Sequence, residues 1–176
     1  MSIVNAGSGK TEPPSQALLD LVTIFEHFKK LNNLTITICG DIRTSRVANS
    51  IIPILKRLGN EIKLCGPQEL LPKKSDYSIV DLKEGLKSSD IVMFLRVQHE
   101  RHQEKFDTNE YNGRYGLNEK NIELLNPQSI IMHPGPVNRD VEIQSQLVEH
   151  NQSKIFKQKE NGVYARMAIF DWIING

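Results

Sequence analysis

The stretch LTITICGDIRTSRVANSIIPILKRLGNEIKLC, residues 34–65, decides the fold. Leu34 to Cys39 is rich in β-branched residues and predicts a buried strand. Val47 to Leu58 has apolar residues at helical spacing, and Gly59 suits the C-terminal cap of that helix. Glu61 to Cys65 then predicts a second strand. A strand, a helix and another strand in this order form the unit from which parallel sheets are built.

The remaining chain continues this alternation of strands and helices. Ile91 to Leu95 is wholly apolar, which is typical of a strand buried on both faces of a parallel sheet. His99 to Gly116 is polar without clear periodicity and predicts an irregular loop with a short helix. The other predicted elements are helices at 15–30, 82–87, 143–148 and 161–175 and strands at 77–80 and 129–132. We therefore predict an α/β, Rossmann-like three-layer domain, in which helices flank a mostly parallel sheet.

Composition and charge exclude several classes of protein. The chain has 176 residues, 39% of them hydrophobic, and no apolar run long enough to span a bilayer. Its 22 basic and 21 acidic residues leave a net charge of +1, too balanced for nonspecific attraction to nucleic acids. Cys39 and Cys65 lie in strand-like runs as small hydrophobes, and the N-terminus lacks the apolar stretch of a signal peptide. We expect a cytoplasmic protein that binds neither nucleic acid nor membrane.

Two motifs that suggest catalysis fail on their spacing. Residues 7–11, GSGKT, resemble the end of a Walker A loop, but Val4 stands where that motif needs a glycine. In HERH, residues 99–102, the histidines are three apart, whereas the zinc metalloprotease motif needs four. The two cysteines also lack the spacing of a zinc site. We therefore expect neither an ATP site nor a metal site.

Three predicted strands run directly into polar loops that carry arginines. The loops are GDIRTSR at 40–46, RVQHER at 96–101 and HPGPVNR at 133–139. The carboxyl ends of parallel strands meet at one edge of the sheet, where ligands of this fold class bind. Because a guanidinium matches carboxylates and phosphates bidentately, the loops predict a small ligand with more than one acidic group. The alternative for any single arginine is a solvated side chain or a structural ion pair.

At these loops the sequence resembles the aspartate carbamoyltransferases, specifically the aspartate-binding C-terminal half of their catalytic chain. The matching stretches are VNAGSG, PSQALLDLVTI, ICGDIRTSRVA, VMFLRVQHER, YGLN, MHPGPVNR, VEIQS and IFKQKENGVYARMA, in the family's order over nearly the whole chain. The resemblance implies one aspartate-binding domain over 1–176. It implies a leading loop and an interdomain-type helix at 1–30, and a C-terminal interdomain-type helix at 155–176.

The resemblance also implies a reaction and its site residues. The family transfers the carbamoyl group of carbamoyl phosphate to L-aspartate, giving N-carbamoyl-L-aspartate and phosphate in pyrimidine biosynthesis, without a cofactor. By resemblance, Arg46 binds one aspartate carboxylate, and Arg96 with Gln98 binds the other. Gln16 contacts the carbamoyl group, and Pro134 and Gly135 present backbone carbonyls. The alternatives are a helix cap for Gln16, a loop-ordering hydrogen bond for Gln98 and a rigid turn for the HPGP segment.

Departures from the family pattern favour a chain that is inactive alone. Pro13 stands where the family has a histidine that contacts the carbamoyl oxygen, so no catalytic residue is assigned. No segment resembles the family's Ser-Thr-Arg-Thr-Arg phosphate loop or its N-terminal domain. We expect the chain to bind L-aspartate, to use carbamoyl phosphate only when a complementary domain supplies that site, and to associate with itself or with a carbamoyltransferase chain. The alternative is a non-catalytic pseudoenzyme or docking protein related to the family.

The two terminal helices should be partly uncovered. Val163, Met167, Phe170 and Ile174 form one apolar stripe on the last helix, and much of the remaining surface of that helix is also apolar. In the family these helices cross between two domains, so the loss of one domain exposes part of both. Exposed apolar patches of this kind favour association.

Overall fold

A computed structural model describes residues 14–97 and 107–175. Within these ranges, five parallel strands form one sheet in the order β3-β2-β1-β4-β5. The strands are β1 (Thr35–Cys39), β2 (Glu61–Cys65), β3 (Ser78–Ile79), β4 (Ile91–Phe94) and β5 (Ile130–Met132). The α-helices are α1 (Pro14–Phe28), α2 (Arg46–Arg57), α3 (Leu82–Ser88), α4 (Thr108–Tyr115) and α5 (Ile155–Asn175). Short 3₁₀ turns lie at Gln68–Leu70, Ile122–Leu124 and Ser145–Leu147.

The two faces of the sheet carry separate hydrophobic layers, which confirms the predicted three-layer α/β fold. On one face, Ile36 and Ile38 of β1 pack in the same cluster as Ile24 of α1 and Ile51 of α2. The opposite layer contains these buried side chains: Cys39, Cys65, Leu82, Leu86, Val92, Phe94, Ile131 and Ile155. Alternate strand residues therefore fill alternate layers, as the two-residue period of a strand requires.

The helix predicted at 143–148 is wrong for half of its length. Only Ser145–Leu147 is helical, as a 3₁₀ turn. Ile143 instead forms a parallel bridge with Leu117, and the Gln144 amide donates to the Leu117 carbonyl at 2.8 Å. The Asp140 carboxylate then accepts from the Ser145 amide at 2.8 Å. Tertiary pairing and a side-chain hydrogen bond thus take backbone groups that a helix would have used.

The last helix begins earlier than predicted, at Ile155 and not at Asn161, because Ile155 and Gln158 are both buried against the domain one turn apart. The short helix predicted within residues 99–116 is α4, over Thr108–Tyr115, and the Asp107 carboxylate caps it by accepting from the Asn109 and Glu110 amides. Residues 98–106 lie outside the described part of the chain.

Polar side chains join α1 to α5. The buried Asp20 accepts from Gln158 Nε2 at 2.8 Å, and Asn161 Nδ2 donates to Thr23 Oγ1 at 3.0 Å. The buried face of α1 thus includes polar residues, whereas Leu18 and Phe25 of its apolar stripe are 38% and 51% exposed. The apolar stripe of α5 is also exposed, at Val163 (57%), Met167 (60%), Phe170 (64%) and Ile174 (76%). The expected exposure of apolar residues on both terminal helices is confirmed.

The close approach of the chain after β1 to the chain after β4 depends on Gly40. Gly40 has φ +121°, and a Cβ added there would lie 2.7 Å from the Leu95 carbonyl oxygen. The Gly40 amide donates to the Cys65 carbonyl at 2.9 Å, so all three strand ends are held together. None of the helices in the described ranges is long and apolar enough to cross a membrane.

We expect Gly40→Ala to destabilise the fold by about 1–3 kcal/mol, because alanine is strained at this φ and its Cβ meets backbone. The matched control is Gly113→Ala in α4, where an added Cβ meets nothing within 4 Å. Urea unfolding measures the free energy of unfolding of both variants. A Gly40→Ala variant as stable as Gly113→Ala would contradict this account of the strand ends.

We expect the stability of the chain to depend on pH through Asp20, because burial raises its pKa from 3.8 to about 7 against opposing hydrogen bonds from Gln158 and Gln16. A raised pKa in the folded state gives stability that is complete below about pH 4 and lost as pH rises through about 7. The unfolding free energy of wild type relative to Asp20→Asn should therefore fall over this window, by on the order of a few kcal/mol. Urea titrations across pH test this, with the exposed Asp171→Asn as control. A pH-independent difference would contradict it.

Candidate functional site

The strand order reverses between β1 and β4, and the candidate site lies beyond that point. From β1 the chain moves outward through β2 and β3, then returns to the other side of β1 for β4 and β5. Cys39 and Phe94 are register partners at the ends of these two strands. Connections leaving such a pair in opposite directions open a crevice that binds ligands in this class of sheet.

The loop after β1 is ordered by Asp41 and leads to Arg46. Asp41 is fully buried, and its carboxylate accepts from the Thr44 hydroxyl at 2.8 Å and the Thr44 amide at 3.3 Å. Ser45 caps α2 by accepting from the Ala48 amide at 3.2 Å. Arg46 is the first residue of α2 and is exposed. The side chain predicted to bind a carboxylate therefore extends from a fixed helix start.

The loop after β4 is held by a buried acid. Arg96 is half-buried beside Val97, whose amide donates to Glu142 Oε1 at 2.8 Å. Asn138 reinforces this link, because its Nδ2 donates to Glu142 Oε1 at 2.9 Å and to the Val97 carbonyl at 3.2 Å. The backbone next to Arg96 is thus fastened to the loop that follows β5.

Glu142 also lies beside His133 and binds Asn138 in the loop that contains the HPGP segment. The Gly135 amide donates to His133 Nδ1 at 2.9 Å, so the imidazole proton is assigned to Nε2. That Nε2 lies 3.5 Å from Glu142 Oε2, which also accepts from the Asn138 amide at 2.8 Å. Glu142 and His133 are each 1% exposed. One carboxylate therefore sets the relative position of two candidate binding loops.

Sequence reasoning missed Glu142. Its available signal was an acid between two apolar residues, Val141 and Ile143, all three of which are buried. Acids are rarely buried without specific partners, so this pattern indicates a carboxylate that organises backbone amides. The partner at Val97 lies 45 residues away, a separation that sequence pattern does not reveal.

Gln16, Pro134 and Gly135 come together in one cleft of about 350 Å³. It lies between α1, α5 and the loop after β5, and Arg139, Lys159 and Arg166 also line it. Among the described lining residues, none is an aspartate or glutamate. The cleft therefore favours an anionic or strongly polar ligand.

Arg139 fits the structural alternative that was open for each loop arginine. Its guanidinium donates to the Ser145 carbonyl at 2.8 Å and lies 3.5 Å from Glu149 Oε1. Both charged side chains are substantially exposed, so this ion pair adds little stability but orients Arg139.

Other predicted features lie outside the described residues. These are Pro13, Gln98, Arg101, the GSGKT segment at 7–11 and the HERH segment at 99–102. Among the residues that are described, no group of three His, Cys, Asp or Glu side chains is placed to hold a metal ion. Cys39 and Cys65 are register partners with free thiols, and burial raises the pKa of Cys39, which makes it unreactive.

Comparison with known proteins agrees with this geometry. The model of the family described as aspartate/ornithine carbamoyltransferase, Asp/Orn binding domain, matches residues 32–173. The aspartate carbamoyltransferase catalytic subunit of Staphylococcus saprophyticus is 46% identical over 176 residues, covering 98% of this chain and 59% of the relative. The corresponding subunit of Streptococcus mutans is 48% identical over 179 residues, covering 99% of this chain and 58% of the relative. The chain thus spans less than two thirds of the length of these relatives.

A solved structure shows the same fold. Aspartate transcarbamoylase from Trypanosoma cruzi, in complex with aspartate and phosphate, superposes with a TM-score of 0.77 at 27% identity. The alignment covers 94% of this chain and 55% of that one. Together with the family match over residues 32–173, this similarity shows that the chain belongs to the aspartate/ornithine carbamoyltransferase family, whose Asp/Orn-binding domain it carries.

Proposed function

We propose that this chain is the aspartate-binding half of an aspartate carbamoyltransferase, organised as a single domain over residues 1–176. The observation that carries the proposal is the pair of arginines at the strand-order switch. Arg46 and Arg96 follow neighbouring parallel strands, and the buried acids Asp41 and Glu142 hold the loops that carry them. Two guanidinium groups at one sheet edge suit the two carboxylates of aspartate.

The roles follow from the chemistry of each side chain. Arg46 binds one carboxylate of L-aspartate, and Arg96 with Gln98 binds the other. Gln16 contacts the carbamoyl group, and the backbone carbonyls of Pro134 and Gly135 accept hydrogen bonds from the reacting groups. The cleft that contains Gln16, Pro134 and Gly135 supports this division between a diacid site and a carbamoyl site.

In the proposed reaction, the α-amine of aspartate attacks the carbonyl carbon of carbamoyl phosphate. The new C–N bond forms, the C–O bond to phosphate breaks, and the amine loses a proton. The residues described here orient the amine and the carbamoyl group, which is catalysis by positioning and needs no cofactor. Phosphate release also requires cationic groups on the phosphate, which we assign to a domain outside this chain.

We expect the chain alone to have negligible carbamoyltransferase activity. Pro13 has neither an imidazole nor a backbone N–H to offer to the carbamoyl oxygen. Loss of one such donor costs about 10²- to 10³-fold in rate. Addition of a complementary domain that binds carbamoyl phosphate should allow carbamoylaspartate to form, at a rate that Pro13 still lowers.

A second candidate function is a non-catalytic binding or docking protein. Pro13 favours it, because a protein that only binds aspartate or a partner has no need of the histidine. The exposed apolar stripe of α5 also favours association with a second copy or with a carbamoyltransferase chain. The two candidates differ in whether carbamoylaspartate forms when the complementary domain is added.

We expect Arg46→Ala and Arg96→Ala each to weaken binding of L-aspartate by about ten- to hundred-fold, since each removes charge-assisted hydrogen bonds to a carboxylate. The matched control is Arg57→Ala, at the opposite end of the same helix as Arg46. Isothermal titration of the purified chains, with folding checked by circular dichroism, measures the affinities. An equal loss in Arg57→Ala would contradict the assignment, and no binding to folded wild type would favour the docking protein.

We expect Glu142→Gln to reduce both stability and aspartate affinity. The amide nitrogen replaces an oxygen that now accepts from Val97 or Asn138, and so leaves a buried donor unsatisfied. The cost in unfolding free energy should be about 1–3 kcal/mol. The control is the exposed Glu149→Gln, studied by urea unfolding and titration calorimetry. Unchanged affinity in a destabilised Glu142→Gln variant would show that this network does not position Arg96.

A further inference from the structure

Asp20 is a buried carboxyl group at the junction of α1, α5 and the candidate cleft. Its side chain is fully buried, and Oδ1 accepts from Gln16 Nε2 at 2.9 Å and from Gln158 Nε2 at 2.8 Å. Its Oδ2 is also buried and has no hydrogen-bond partner among the described residues. Burial raises the pKa of Asp20 to about 7, so this group lowers stability at neutral pH.

The contact with Asp20 determines which way the Gln16 amide faces. A carboxyl oxygen such as Oδ1 accepts hydrogen bonds, so the group of Gln16 that faces it must be the NH₂. The Gln16 carbonyl oxygen is then the atom that this side chain offers to a donor in the cleft. A carbamoyl group carries an NH₂, which can donate a hydrogen bond to such an oxygen.

Asp20 also relates Gln16 to the opposite wall of the cleft. Gln158 donates to Asp20 through Nε2 and accepts from the His133 amide through Oε1 at 2.9 Å. His133 immediately precedes Pro134 and Gly135, which line the same cleft as Gln16. A continuous set of hydrogen bonds therefore runs from Gln16 through Asp20 and Gln158 to the backbone of the HPGP segment.

We propose that Asp20 is a positioning residue that fixes the Gln16 carbonyl oxygen toward the carbamoyl group and sets its place relative to Pro134 and Gly135. The inference rests on the proposed function, in which Gln16 contacts that group. Asp20 itself touches neither substrate. Its contribution is to the recognition of the carbamoyl group and not to the binding of the aspartate carboxylates.

A purely structural role for Asp20 explains less. A separate set of contacts further along the two helices already joins them: Asn161 Nδ2 donates to Thr23 Oγ1 at 3.0 Å and to Glu26 Oε2 at 2.7 Å. A buried carboxyl group with one unbonded oxygen is a costly way to join helices. Its position beside Gln16, at the edge of the cleft, is what a positioning role requires.

The experiment compares two ligands that share the same dicarboxylate, L-aspartate and N-carbamoyl-L-aspartate, by titration calorimetry of the 176-residue chain. The variants are Asp20→Asn, which keeps an acceptor oxygen, and Asp20→Leu, which has nearly the same shape and no acceptor. Thr23→Val is the control, because it removes a buried acceptor between the same helices away from the cleft.

We expect Asp20→Leu to bind N-carbamoyl-L-aspartate roughly three- to ten-fold more weakly, the effect of one hydrogen bond, and L-aspartate as wild type does. Asp20→Asn and Thr23→Val should keep the wild-type ratio of the two affinities. An unchanged ratio in folded Asp20→Leu overturns the proposal, as does an equal shift in Thr23→Val. If wild type binds neither ligand, both the proposed function and this inference are refuted. If wild type binds both ligands and Asp20→Leu keeps the wild-type ratio of the two affinities, this inference alone is refuted.

A second measurement covers the case in which Asp20→Leu does not fold. The side-chain ¹⁵N{¹H} NOE of Gln16 in wild type should show a rigid NH₂ group, in contrast to that of the exposed Gln68. Asp20→Asn should keep this rigidity. A Gln16 side chain as mobile as that of Gln68 in wild type overturns the proposal.

Discussion

The close approach of the ends of β1 and β4 is the constraint on which the rest of the site depends. Gly40 passes so near the Leu95 carbonyl that a side chain has no space there. The two strands stay paired to Cys39 and Phe94, and their connections then leave in opposite directions. This divergence opens the crevice between the loop that leads to Arg46 and the loop that carries Arg96, where the proposed diacid site lies.

Buried acids hold the loops around this crevice, whereas Arg46 is exposed and Arg96 is half-buried. Asp41 orders the loop before Arg46, Glu142 joins the loop of Arg96 to the HPGP segment, and Asp20 joins Gln16 to Gln158. Burial of a carboxyl group is unfavourable unless donors surround it. Glu142 meets this condition with amide donors on both oxygens, whereas Asp20 meets it on one oxygen alone. Because one Asp20 oxygen has no donor among the described residues, stability does not explain this buried carboxyl group, whereas a role at the cleft does.

The β-branched and apolar runs at residues 34–39, 61–65 and 91–95 were sufficient to predict the central strands, because burial on both faces leaves a continuous apolar pattern. The same local reasoning produced the wrong helix at 143–148, where pairing with Leu117 across the fold overrides helical spacing. It also missed Asp20 and Glu142, whose partners lie 138 and 45 residues away. Local pattern therefore predicted the scaffold and the arginine-bearing loops, but not the buried acids that bind Val97, Gln16 and Gln158.

The proposed function separates binding from catalysis for a physical reason. Recognition of a diacid needs only the two arginines and the loops that hold them, and a charge-assisted contact of this kind gives about ten- to hundred-fold in affinity. Acceleration of carbamoyl transfer needs hydrogen-bond donors to the carbamoyl oxygen and to the departing phosphate. Loss of one such donor lowers the rate by about 10²- to 10³-fold. Pro13 removes one such donor, whereas the hydrogen bonds from Gln16 through Asp20 to the HPGP segment still order the cleft. Under this proposal, the carbamoyl contact discriminates between ligands whether or not residues 1–176 catalyse the transfer.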